Sequence, residues 1–198
     1  MGSSILVSSR PHALRSRSDH AVTRSGSPAP ARTQVEAAVI LKRELPPADA
    51  HFLAVLADGR IGEALETNVT EVRARQKECL ALVQPQSLTS STAILATAEA
   101  LAKSDRGTET LSWLTRWIRD VVIVIVGGDQ DQLLHLDQLV DVRQYAKRAD
   151  IDLLLTLLHD IERFQQQATR HLNLQMALET TLLRLREALG LVPTTVSA

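Results

Sequence analysis

The chain has 198 residues, with 22 Lys and Arg against 23 Asp and Glu, for a net charge of −1 and a predicted isoelectric point of about 6.6. That balance argues against a generally basic nucleic-acid binder. A single cysteine, Cys79, excludes an intrachain disulfide framework and speaks against a cysteine-based zinc site. The most apolar run, Val121 to Val126, falls far short of the ~20 residues a membrane span needs. No apolar stretch of signal-peptide length opens the chain. The expectation is a cytoplasmic protein of one ordinary domain, or one domain plus a fragment. With two Trp, two Phe and one Tyr, its core must be built from Leu, Val, Ile and Ala.

Residues 1–34 hold five Arg and one Asp among Ser, Pro and Gly, a local charge of +4, while the other 164 residues carry −5. The string TRSGSPAPAR at 23–32 reads as linker, so the first 34 residues are expected to be a disordered basic segment. From Thr33 the pattern is helical. Thr33 with Glu36 has capping-box spacing and opens a helix to about Glu44, which Pro46-Pro47 stop. Pro47 opens a second helix carrying Phe52, Leu53, Val55 and Leu56, ending near Gly59. A short third helix holds Ile61, Ala64 and Leu65.

Asn68 with Glu71 starts a fourth helix bearing Val72, Gln76, Cys79, Leu80 and Val83, closed by Pro85. An Ala-rich helix follows from about Leu88 to Lys103. Thr108 then caps a helix to about Val126, ended by Gly127-Gly128. Its Val/Ile run has strand propensity, but Leu111, Leu114, Ile118 and Val122 keep helical spacing. A helix from about Gln138 to Ala149 precedes Asp150, which caps a long helix with a stripe of Leu154, Leu157, Leu158, Ile161, Phe164 and Ala168. Asn173 caps a last helix with Met176, Leu178, Leu182, Leu185 and Leu189, stopped by Gly190. The body is predicted all-α, and residues 191–198 a frayed tail.

Catalytic signatures are missing from this pattern. There is neither a phosphate-binding Gly-x-x-x-x-Gly-Lys-Ser/Thr string nor a Gly-x-Ser-x-Gly elbow. Gly-Arg-Ile-Gly at 59–62 joins two helices with no preceding strand, so it does not make a dinucleotide site. His159-Asp160, with His135 or His171, offers metal-ligand chemistry, yet the pair sits at the polar edge of a leucine-rich helix and reads as a solvated face. Arg116 and Asp120 read as a solvated salt bridge, and Cys79 as a small buried hydrophobe. Trp113 and Trp117 share a helix face; they are either core or candidate interface residues.

Three stretches together resemble the C-terminal part of the delta-prime subunit of bacterial DNA polymerase III. They are LPPADAHFLAVLADGRIGEALE (45–66), LSWLTRWIRDVVIVIVGGD (111–129) and HLNLQMALETTLLRLREAL (171–189). The first resembles the end of the small helical domain that follows the ATPase module in clamp-loader subunits. Its Gly-Arg-Ile-Gly string resembles a worn sensor motif, with Gly62 and Glu63 where an active ATPase has an arginine. ILVSSRPHALRSRS (5–18) resembles the close of the ATPase module. By that likeness Arg17, after Ser16, stands where the family places an arginine finger acting in trans, and Ser18 where it has a cysteine.

The resemblance implies a division into 1–34 (a disordered or linker segment, the remnant of an ATPase-module end), 35–67 (a lid-type helical segment), 68–190 (a helical collar domain) and 191–198 (tail). It implies an accessory clamp-loader subunit, truncated and without its ATPase module. Such a chain has no catalytic centre, cofactor or metal of its own, though it would be a component of a DNA-directed DNA polymerase. Its partners would be the delta and ATPase subunits, with DNA contacted only indirectly and no membrane involved. The competing expectation is a free-standing helical interaction adaptor.

Overall fold

Local signals set most helix ends. A computed structural model describes residues 32–104, 106–167 and 173–191. Among these residues there are ten α-helices and no strand: α1 (Arg32–Arg43), α2 (Pro47–Leu56), α3 (Ile61–Glu66), α4 (Val69–Leu82), α5 (Pro85–Leu88), α6 (Ser91–Lys103), α7 (Gly107–Ile125), α8 (Leu139–Ala146), α9 (Ile151–Gln167) and α10 (Leu174–Ala188). Two 3-10 turns, Gln130–Gln132 and Leu136–Gln138, lie between α7 and α8. The fold is all-α, as the periodicity predicts. Residues 1–31 of the basic segment, with Ser16 and Arg17, Ala168 of the predicted α9 stripe, His171 and residues 192–198 of the tail lie outside the described residues, while residues 32–34 open α1.

Three side-chain caps stand where the sequence predicts them, and α6 has a fourth at Ser90. The Asn68 side chain accepts from the backbone amides of Thr70 and Glu71, and that of Asn173 from Met176. Asp150 accepts from the amides of Asp152 and Leu153 at 2.9 and 3.1 Å. Ser90 accepts from Ala93. Each such cap satisfies amides that have no partner within the helix. Gly127 and Gly190 take φ of +69° and +64° at the ends of α7 and α10, a backbone conformation open to glycine without strain.

Four boundaries differ from expectation. α7 begins at Gly107 with Arg106 at the cap position and no side-chain cap, so Thr108 lies within its first turn. α1 already begins at Arg32, so Thr33 lies within its first turn, and the Glu36 carboxylate turns instead to His51 Nδ1 on α2 at 2.9 Å. Pro85 does not merely close α4. It opens the one-turn α5, and the chain breaks there to bury Leu88 before Ser90 caps α6. The helix expected from 138 to 149 is shortened to α8, because its first residues form a 3-10 turn and Lys147 caps its end.

α7 is the central element, packing on α4, α6, α8, α9 and α10. Its Leu111, Leu114, Ile118 and Val121 are buried together with Leu154, Leu157 and Ile161 of α9 and Leu178, Leu182 and Leu185 of α10. The Val/Ile run stays helical because one side of it faces this core while Val126 is exposed. Met176, placed on the stripe of the last helix by sequence, is exposed. α9 and α10 run antiparallel, and the Asp150 amide donates to the Ala188 carbonyl at 2.8 Å.

α1, α2 and α3 pack on one another, and their core is continuous with that of α7. Phe52 of α2 stacks on Trp113 with ring centroids 6.4 Å apart. The Arg73 guanidinium of α4 lies 3.9 Å above the Phe52 ring and pairs with Asp49 of α2. Arg43 donates to the carbonyls of Ala64 and Thr67, tying α1 to the end of α3.

Candidate functional site

The two tryptophans share a face of α7, and the structure puts that face inside. Trp113 is 4% exposed and Trp117 1%. Trp117 meets Tyr145 of α8 edge-on at 5.1 Å, and the Tyr145 hydroxyl donates to the Val83 carbonyl at 2.9 Å. A core short of aromatic volume uses both indoles as filling. As candidate interface residues they are therefore corrected to core positions, and contact with a partner must come from elsewhere on the surface.

Asp120 is also corrected. It is 1% exposed and does not pair with Arg116. Its Oδ2 accepts from both the backbone amide and Nδ1 of His135, each at 2.8 Å. His135 is fully buried. This joint fixes the connection between α7 and α8 against the middle of the molecule. A second histidine fixes its other side: His51 Nε2 lies 3.0 Å from the Leu133 carbonyl, while Nδ1 faces Glu36. Arg32 donates to the Asp131 carbonyl at 2.7 Å. Sequence reading missed this hub because its members are 15 and 82 positions apart.

His159 is exposed on α9. Its neighbour Asp160 pairs with Arg184 of α10 and lies 3.8 Å from Arg163. His135 is held by Asp120, so the structure does not bring these residues together around a metal. Among the described residues no group of three or more His, Cys, Asp or Glu is placed to hold one. Burial pushes the Cys79 thiol up to about 12, so it stays protonated and unreactive near neutral pH. Gly59 supplies the positive φ, +80°, of the turn before α3. Beyond it, Arg60 pairs with Glu63 at 2.9 Å, so the Gly-Arg-Ile-Gly string shapes a turn.

Two surface features remain. A cavity of about 250 Å³ lies between α4, α6 and α7. Its floor includes Cys79, Leu82, Leu101 and Trp113, and Arg75, Glu78, Arg106 and Glu109 rim it. These four charges pair with one another across the rim. The second feature is the α9–α10 face. Leu153, Thr156, Arg184 and Glu187 line a cavity of about 290 Å³ there, and Leu153 of α9 stays partly exposed beside it. An exposed leucine beside a salt-bridged groove suits contact with another polypeptide better than bond chemistry.

No helix among the described residues is long and apolar enough to cross a membrane. No curated protein sequence matches the chain. No solved structure matches it either. The family model for the C-terminal domain of the delta subunit of DNA polymerase III matches residues 70–187, which run from the first turn of α4 to the last turn of α10. The match covers more than half of the chain and takes in the central helix, the Asp120–His135 joint and the α9–α10 face. The chain belongs to this family, the C-terminal domains of the DNA polymerase III delta subunit.

Proposed function

We propose that the chain is an accessory clamp-loader subunit of the delta-prime type, working in the cytoplasm through assembly with the delta and ATPase subunits. The observation that carries this reading is the family match over α4–α10. In this reading residues 68–190 are the collar domain, 35–67 a lid-type segment, and 1–34 a segment that resembles the end of an ATPase module. The delta-prime assignment rests on the resemblance of the three stretches named above. The chain supplies interface and no bond chemistry, and reaches DNA through the complex.

The α9–α10 face supports this reading, since Leu153, exposed there, would otherwise stay in water. An interface of standard size buries about 800 Å² on each partner, an area two helices of this length can offer. The test is co-purification of the tagged chain with delta and ATPase subunits, read by size exclusion. A stable complex is expected, and Leu153→Glu should weaken it by about tenfold as a charge enters an apolar contact. A chain folded by circular dichroism that joins none of these subunits would overturn the assembly role and favour an adaptor serving another partner. Within a complex, Arg17→Ala tests the arginine finger by a fall in ATP hydrolysis.

A further inference from the structure

One charged cluster has no part in the joint, the rimmed cavity or the α9–α10 face. Arg116 and Arg119 lie three apart on α7 and therefore point to neighbouring parts of one surface. Arg60 stands in the turn before α3. Arg60, Arg119 and Glu63 are the charges that act on the Arg116 guanidinium. Arg60 also donates through Nε to the Ala57 carbonyl, and pairs with Glu63. Arg119 is exposed, and Arg116 half-buried with its guanidinium 5.5 Å over the Trp113 ring. Neither Arg116 nor Arg119 has a hydrogen-bond acceptor or a carboxylate partner among the described residues.

A half-buried cation without an acceptor is a costly arrangement. Burial first, and then the like charges of Arg60 and Arg119, hold Arg116 below the ordinary arginine value against the pull of Glu63. The cluster sets three guanidinium groups against one carboxylate, and Arg60 already occupies that carboxylate. The remaining two positive charges match a phosphate dianion better than the single charge of a carboxylate. Planar guanidinium donors also fit phosphate oxygens in pairs.

We propose that Arg60, Arg116 and Arg119 form a subsite for a phosphate group, where Arg116 and Arg119 donate to its oxygens and Arg60 adds charge from the α3 side. The proposal does not depend on assembly with clamp-loader subunits. The same chemistry is offered by free phosphate and by nucleic acid, and the two sources give different titrations.

The test is titration of the full chain with inorganic phosphate at constant ionic strength, followed by calorimetry and by tryptophan fluorescence, because Trp113 lies against Arg116. A parallel titration uses a labelled single-stranded oligonucleotide. Saturable phosphate binding is expected. Arg119→Gln, at an exposed position, should weaken it about tenfold, as expected for one lost charge-assisted contact. Arg116→Gln with Arg119→Gln should abolish binding and the fluorescence change together. Glu63→Gln should tighten binding, since it removes the only carboxylate in the cluster. An oligonucleotide that binds more tightly than phosphate, with the same response to the variants, identifies nucleic acid as the source; tighter binding of free phosphate identifies a small ligand. Binding that survives the double variant, a polyglutamate peptide that binds as tightly as phosphate, or no binding of either probe overturns the proposal.

Discussion

Two aspartates of this chain show what burial does to a charge. Asp120 and Asp160 both stand on long amphipathic helices, and sequence assigns both to a solvated face. Asp160 meets that description only in part: its own side chain is 15% exposed, but it meets Arg184 of α10, whose side chain is half exposed. Asp120 is turned inward, where one carboxylate oxygen holds both the backbone and the ring of His135. Its other oxygen has no partner, nor does His135 Nε2. The first pair decorates a helix contact; the second holds a connection in place. The difference lies in the surroundings, because attraction between charged groups weakens in water and every lost partner costs more inside.

The comparison can be broken most sharply at Asp120. Asp120→Ala should cost about 3 kcal/mol and lower the melting temperature by roughly 6–12 °C, since two buried donors on His135 lose their acceptor. Asp120→Asn, whose amide oxygen still accepts, should cost less. Thermal unfolding by circular dichroism checks both, and an Asp120→Ala variant as stable as the parent would show the joint to be dispensable.

The next effect extends the contrast to pH. The Cys79 thiol titrates near 9.0 in an unfolded chain and near 12 in the fold. Above pH 9 the unfolded state releases a proton that the folded state keeps, so stability is full below that pH and falls as pH rises toward 12. The slope approaches about 1.4 kcal/mol per pH unit. Burial raises Tyr145 as well, in the same direction. Cys79→Ala should flatten part of this alkaline loss in urea unfolding measured at several pH values; an unchanged slope would refute the assignment to Cys79.

Smaller again is the cap at Asp150. Asp150→Ala should cost about 1 kcal/mol by freeing the amides of Asp152 and Leu153. Faster hydrogen exchange confined to the first turn of α9 is the signature to seek. The smallest effect belongs to the partly exposed pair at the helix contact: Asp160→Asn should cost at most about 0.5 kcal/mol. If it costs as much as Asp120→Ala, the distinction between the two aspartates fails.

The sequence made some of this molecule readable, and chain separation explains the rest. Caps such as Asn68, Asp150 and Asn173 act within three residues, so they are legible locally, as are the leucine stripes of α9 and α10. The helical state of Val121–Ile125 followed from the spacing of its apolar neighbours. Thr33 misled because Glu36 found a better partner on α2. Asp120 misled because helical spacing to Arg116 is visible and the return of His135 is not. The arginine cluster stayed hidden for the same reason, as Arg60 approaches α7 across the fold. The indoles were legible as a shared face, but not in the direction that face takes.

The histidine between α1, α2 and the Leu133 carbonyl has a kinetic consequence. His51 clasps a carbonyl 82 positions away, so this contact can form only when the chain from α2 to the end of the α7–α8 connection's first turn has been gathered. Closing a loop of that length costs about 4 kcal/mol in chain entropy. Helices α1–α3 lie before the stretch matched by the family model, yet their lock is inside it. They should therefore gain their final protection from exchange late in refolding, together with the connection at 129–138, and lose it in the same cooperative step as the body they precede.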